Sequence, residues 1–140
     1  MSSHGLPGGP KNDMRAYTMD EAELIVDNET YKIQDMHIYD QRGRIVRTIS
    51  TTVLHRGKQT SGHINTILRG ANIDETELYQ FLEGSGIMLL DKLAIPVSAG
   101  DWVYIEKGRF HKVINTSNAS DLIFLTYFNG EISRPHLKLA

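Results

Sequence analysis

The sequence predicts an all-β domain, a sandwich or barrel of short strands. Three observations carry this. From about residue 31 onward the chain is cut into short segments rich in β-branched and aromatic residues. Turn residues recur between them at roughly ten-residue spacing: Gly43, Gly57, Gly62, Gly84, Gly86, Gly100, Gly108 and the pair Asn129-Gly130. No helical stretch long enough for a βαβ crossover intervenes, which argues against a parallel α/β sheet.

The elements follow in order. Residues 1–13, MSSHGLPGGPKND, are rich in Gly, Pro and Ser and offer almost nothing to bury. They read as a flexible tail, or as a cloning remnant ahead of a natural start at Met14; His4 has no role there. TMDEAELIV (18–26) carries a helix signal: Thr18 and Glu21 have capping-box spacing, and Ala22, Leu24 and Ile25 offer a short apolar face. A short N-terminal helix is expected. Then come the strand candidates YKIQDMHIYD, RIVRTISTTVLH, TELYQFLEG, GIMLLD, AIPV, DWVYIEKG, FHKVIN and DLIFLTYF. Residues 14–140 read as one domain, and no internal repeat is visible.

Bulk properties narrow the function. The chain has 140 residues, 15 Lys+Arg against 17 Asp+Glu and a formal net charge of −2. Such balance gives no electrostatic case for nucleic acid or an anionic membrane. With no cysteine, disulfides, thiolate ligands and Cys nucleophiles are excluded. No apolar run reaches the ~18 residues of a membrane span, and the N-terminus lacks a signal-peptide core. A cytoplasmic domain with a small-molecule partner is the expectation. The N-x-[ST] triplets at Asn28, Asn115 and Asn118 read as chance matches.

The chemistry-bearing residues fall on three strands. Side chains at i and i+2 share a face, so His63 pairs with Asn65, Glu77 with Tyr79 and Phe81, and His111 with Val113 and Asn115. If these rows line the inside of a small barrel, two imidazoles and a carboxylate converge. Such a set holds a divalent cation with positions open to substrate. Other readings stand beside this one. Glu77 could instead pair with an inward Arg44 or Arg47. Asn115 reads as a strand-end residue fixing its own backbone. His37 reads as a surface or interface residue, His55 as near a pocket mouth and His136 as exposed. Tyr79, Phe81, Trp102, Tyr104, Phe124 and Phe128 read as core and pocket wall, with Tyr79 placed beside Glu77. Lys107, Arg109 and Lys112 form a solvated turn or recruit an anion.

The spacing resembles the two motifs of the cupin superfamily. In GKQTSGHINTILRGANIDETELYQFLEG, five residues separate Gly57 from His63 and six separate Glu77 from Gly84. In GDWVYIEKGRFHKVIN, Gly100, Gly108, His111 and Asn115 stand at the second motif's intervals. Three positions depart from the pattern. Asn65 replaces the second His of the first motif, the gap to Glu77 is lengthened by TILRGANID, and Glu106 replaces a Pro. An amide oxygen suits harder ions such as Mn or Mg better than Zn, Fe or Ni; Asn72 or Asp74 of the inserted loop are alternative donors.

What the resemblance implies is a double-stranded β-helix, a jelly-roll barrel of the small single-domain cupin type. It implies a divalent metal (Mn, Fe, Zn or Ni) held by His63, Asn65, Glu77 and His111. Glu77 and Tyr79 would be the catalytic residues of a sugar-phosphate or sugar-nucleotide isomerase or epimerase. An Fe(II) dioxygenase-type cupin and a metal-free binding module are the alternatives. The resemblance also implies a homodimer formed through the early strands, which an exposed apolar edge in RIVRTISTTVL would favour. Ile67 and Leu68 make the inserted loop a pocket cover or a partner contact.

Overall fold

A computed structural model describes residues 15–64, 76–106 and 108–129 of the chain. Ten strands are present among them: β1 (Glu23–Asp27), β2 (Tyr31–Tyr39), β3 (Ile45–Leu54), β4 (His63–Ile64), β5 (Glu77–Glu83), β6 (Ser85–Leu90), β7 (Leu93–Ser98), β8 (Trp102–Ile105), β9 (Phe110–Ile114) and β10 (Leu122–Asn129). Every pairing is antiparallel. One sheet has the order β1-β2-β3-β10-β5-β8 and the other β4-β9-β6-β7. From β3 to β10 the chain crosses between the sheets at every step except the β6–β7 hairpin, which is the jelly-roll order, so the expected double-stranded β-helix is the fold. None of the helices among the described residues is long and apolar enough to cross a membrane.

The turns explain where strands stop. Between β2 and β3, the Asp40 carboxylate accepts from the backbone N–H groups of Arg42 and Arg44 at 2.8 and 3.0 Å. Gly43 there has a φ of 80°, which costs a glycine nothing. Gly86 is needed for a different reason. A Cβ on it would run into the carbonyl oxygen of Ile114 on β9, so only a bare backbone lets β6 lie this close.

Two expectations about elements are corrected. The helix signal in 18–26 yields only a 3-10 turn, Met19–Glu21. The capping contact is real, with the Glu21 carboxylate accepting from the Thr18 backbone N–H at 2.8 Å. Arg15 then holds the same carboxyl at 2.7 Å, and the Glu21 pKa falls to about 2. From Glu23 onward, pairing with β2 gives the backbone a ladder of hydrogen bonds along one edge, and the segment continues as β1. The second correction concerns β3. It lies inside its sheet with β2 on one side and β10 on the other, so RIVRTISTTVL is no exposed edge.

Alternation decides what each strand buries. The inner face of the six-stranded sheet carries Tyr31, Ile33 and Asp35 from β2, and Thr48, Ser50, Thr52 and Leu54 from β3. β10 adds Leu122, Phe124, Thr126 and Phe128, and β5 adds Glu77, Tyr79 and Phe81. Met88, Val97, Val113 and His111 face them from the other sheet. Trp102 and Tyr104 do not join this core; they stand 54% and 60% exposed. On β8 it is Val103 and Ile105 that turn inward, and Trp102 stacks outside on Tyr127, ring centroids 6.1 Å apart.

Candidate functional site

The register sorts the inner face into rows. Ser50 pairs with Asp35 on one side and Thr126 on the other, and Thr126 pairs with Tyr79. The next row toward one end runs His37, Thr48, Phe128, Glu77, Ile105. In the opposite direction lie Ile33, Thr52, Phe124 and Phe81, then Tyr31, Leu54 and Leu122. One end of the barrel interior is therefore apolar and the other polar. The two cupin-motif side chains that are best defined, Glu77 and His111, stand at the polar end.

His111 is 1% exposed and Glu77 2%. The His111 Nε2 lies 2.9 Å from the Glu77 Oε2. Nδ1 of the same ring lies 3.0 Å from the Arg109 carbonyl oxygen, which only accepts, so Nδ1 carries a proton and donates. In the neutral ring Nε2 would then present a lone pair to a carboxylate. Two Lewis bases at this distance need a cation between or on them. A proton serves: burial opposes charging the ring, but the Glu77 carboxylate outweighs it and the Arg109 carbonyl helps, so the His111 pKa is raised above its ordinary 6.5. A divalent ion serves equally by charge.

The carbonyl that orients His111 is itself clamped. Arg109 donates to the Asp91 carboxylate at 2.6 Å, the Phe110 N–H donates to it at 3.1 Å, and the Asp91 N–H donates to the Phe110 carbonyl at 2.8 Å. Arg109 holds the Asp91 carboxyl below the usual carboxylate range. Arg109 is thus a structural tie between the β6–β7 turn and the start of β9. The alternative partners of Glu77 are engaged elsewhere: Arg44 with Asp40 at 2.9 Å and Arg47 with Asn129 at 2.7 Å.

Solved structures of low sequence identity share this architecture. The chain matches an RmlC-like cupin from Shewanella frigidimarina at a TM-score of 0.62 and 12% identity, covering 86% of this chain and 92% of that one. It matches a predicted oxalate decarboxylase from Thermotoga maritima at 0.59 and 21% identity, covering 84% and 100%. It also matches oxalate decarboxylase from Bacillus subtilis at 0.66 and 18%, covering 84% of this chain but 30% of that one. No protein-family model and no curated protein matches the sequence. The chain has the cupin fold.

His63 is the register partner of His111. Asn65 and the inserted segment with Ile67, Leu68, Asn72 and Asp74 lie outside the described residues, as do residues 1–14, Lys107 and His136. Among the described residues no group of three or more His, Asp and Glu side chains converges as a metal cluster. The described donors are the His111–Glu77 pair, and their chemistry, a fixed imidazole nitrogen against a buried carboxylate, fits a divalent ion.

The remaining candidates sort themselves by contact. Tyr79 is buried beside the pair, its ring edge-on to His111 at 6.1 Å and stacked on Phe124 at 5.5 Å. Asn115 is structural: it donates to the carbonyls of Leu54 and Ser120 and accepts from the Ser117 N–H. His55 lies 3.3 Å from Asp121 at the opposite end of the strands. His37, expected at the surface or an interface, stands half-buried at the polar end, with Nδ1 3.2 Å from the Thr48 hydroxyl and Nε2 3.0 Å from Glu23. The sequence reading also missed Asp35, Thr48, Ser50 and Thr126, all at most 3% exposed. Their signal was the alternation itself, Thr48-x-Ser50-x-Thr52-x-Leu54, in which polar residues share a face with a core leucine.

Proposed function

We propose that this cupin holds a divalent metal at the polar end of its barrel and acts there on a small hydroxylated molecule. The observation that carries the reading is the His111–Glu77 contact, two buried Lewis bases 2.9 Å apart with the imidazole locked by a backbone carbonyl. His63, the register partner of His111, would complete the set, with Asn65 as the amide donor. A bound divalent ion supplies Lewis-acid polarisation of a substrate oxygen.

The chain's own residues would do the rest. Glu77 would accept a proton from the substrate and return it, with the His111 imidazole 2.9 Å from its carboxylate. Tyr79 forms the wall next to both and brings a phenolic hydroxyl for proton donation. Asp35, Ser50, Thr48 and Thr126 line the adjoining rows with hydroxyl and carboxylate groups, which suit the hydroxyls of a sugar. Buried carboxylates repel an anionic group, so a phosphate would stay toward the mouth. This favours the sugar-phosphate or sugar-nucleotide isomerase reading over a small dicarboxylate. The likeness to oxalate decarboxylases supports the fold, and oxalate is the natural control substrate.

The same contact supports a second reading, a metal-free binding module, because a protonated His111 satisfies Glu77 without any metal. Elemental analysis of protein purified without added metal separates the two. About one equivalent of metal, reduced at least tenfold in His111→Ala and Glu77→Gln, supports the metal enzyme. Absence of metal from the wild type, with a sugar still raising its melting temperature, supports the module.

A further inference from the structure

A groove of about 750 Å³ opens at the rim of the polar end, a volume typical of small-molecule sites. The β6–β7 turn from Leu90 to Leu93 supplies one side, Tyr104 and Glu106 at the end of β8 a second, and Arg109 with Phe110 a third. The groove adjoins both halves of the buried pair. Leu90 is the register partner of His111, and Ile105, the residue before Glu106, is the register partner of Glu77. Opposed Cα atoms of an antiparallel pair lie about 4.5–5.5 Å apart. A ligand at the polar end that is longer than one sugar ring would therefore extend into this groove.

The sides are fixed relative to one another before any ligand arrives. The Arg109 guanidinium donates to Asp91 at 2.6 Å and lies 3.9 Å from Glu106, so one cation links all three. Asp91 has a φ of 54°, a left-handed conformation that few non-glycine residues adopt. Two bonds hold it there: its N–H donates to the Phe110 carbonyl at 2.8 Å, and its carboxylate accepts from the Phe110 N–H at 3.1 Å. The Phe110 ring is in turn seated against Gly62, where a Cβ would collide with it.

The lining selects a class of ligand. Leu93 and Tyr104 are exposed, beside half-buried Leu90 and Phe110. Single exposed apolar side chains are ordinary, but these share one concavity, which is where apolar surface marks a binding site. Tyr104 and Phe110 are aromatic, and an aromatic ring attracts another in offset or edge-on contact. The charges around the groove offset one another, Asp91 and Glu106 against Lys92 and Arg109. Because two carboxylates already meet the Arg109 guanidinium, an anion gains little there. What the groove offers is apolar and aromatic surface.

We propose that this groove binds an uncharged aromatic ring carried by the hydroxylated ligand, on the reading that the ligand's other end lies at the polar end with His111 and Glu77. The substrate class narrows accordingly, from any small hydroxylated molecule to one that bears an aromatic group. Tyr104 and Leu93 are the residues that distinguish it from a bare sugar.

Titrations of the full chain followed by amide NMR test the groove and the polar end separately. Phenol alone should shift the Asp91, Leu93 and Phe110 amides. Tyr104→Ala and Leu93→Asp, both at exposed positions, should each weaken phenol binding about fivefold, as expected for one lost ring or apolar contact. Trp102→Ala, which removes an exposed ring outside the groove, should leave it unchanged. Phenyl β-glucoside should bind at least about tenfold more tightly than either phenol or methyl β-glucoside, and Tyr104→Ala should remove most of its advantage over methyl β-glucoside. No groove shifts up to the solubility of phenol, or an equal response in Tyr104→Ala and Leu93→Asp, overturns the proposal whatever the glucosides do. Phenol in the groove with a glucoside no tighter than phenol supports the ring site and counts against the polar-end reading.

Discussion

The two ends of the barrel interior are built from the same strands and the same alternation, yet they face opposite thermodynamic conditions. At one end stand Leu54, Leu122, Phe81, Phe124 and Met88, each at most 3% exposed. Burying a side chain of this size stabilises by about 1.5–3 kcal/mol. At the other end stand Glu77, His111, Asp35, Thr48, Ser50 and Thr126, buried to the same degree. Burying these groups costs free energy unless each finds a partner. The apolar end therefore supports the cost of the polar end, where the approach of His111 to Glu77 at 2.9 Å calls for a proton or another cation on the pair.

Substitutions at the two ends should behave differently, and the largest stability effect belongs to the apolar end. Phe81→Ala should lower stability by about 3–5 kcal/mol, read from the urea midpoint, while the folded fraction keeps its metal affinity. A midpoint close to wild type would mean that this end is not the core.

At the polar end, His111→Ala should cost about 3 kcal/mol at pH 8, because it removes the imidazole that faces the buried Glu77 carboxylate at 2.9 Å. Glu77→Gln should cost less, about 1 kcal/mol, since the amide fills the same space and His111 simply loses its proton. If Glu77→Gln proved the more damaging of the two, the pairing would have been misjudged.

Next in size is a pH effect in the metal-free protein. The folded pKa of His111 is raised, so its stabilisation is complete below about 6.5, the unfolded value. It is lost as pH rises through the raised folded value, at most about 1.4 kcal/mol per pH unit. Denaturation midpoints measured from pH 6 upward should fall in the wild type. The same series in Glu77→Gln should be flatter. Equal slopes in both proteins would remove Glu77 as the cause.

The smallest expected effect is at Thr126, between Ser50 and Tyr79 in its row. Thr126→Val should change stability by under about 1 kcal/mol, while weakening the thermal shift produced by a sugar ligand. Loss of stability without loss of the ligand response would assign this hydroxyl to the fold.

Much of this contrast was legible in the sequence, and what escaped has physical causes. The strand segments and both motif spacings were readable because alternation and turn glycines are local signals. His111 and Glu77 were singled out because their intervals to Gly108 and Gly84 resemble the cupin motifs. β1 was misread because a genuine capping contact at Thr18 and Glu21 competes with pairing to β2, which only the tertiary fold supplies. Trp102 and Tyr104 were misplaced because the segment WVYI is apolar on both faces, so its parity cannot be read. Asp35, Thr48, Ser50 and Thr126 escaped for the opposite reason: polar residues at every second position ordinarily mark the solvent face, and here they line the interior.

A cobalt(II) titration at pH 8, followed by visible absorption, addresses the His111–Glu77 pair most directly. The prediction is one equivalent bound by the wild type with a d–d spectrum, and no such spectrum in either His111→Ala or Glu77→Gln at the same concentrations. Wild-type protein without any cobalt spectrum, or both variants reproducing the wild-type spectrum and stoichiometry, would contradict it.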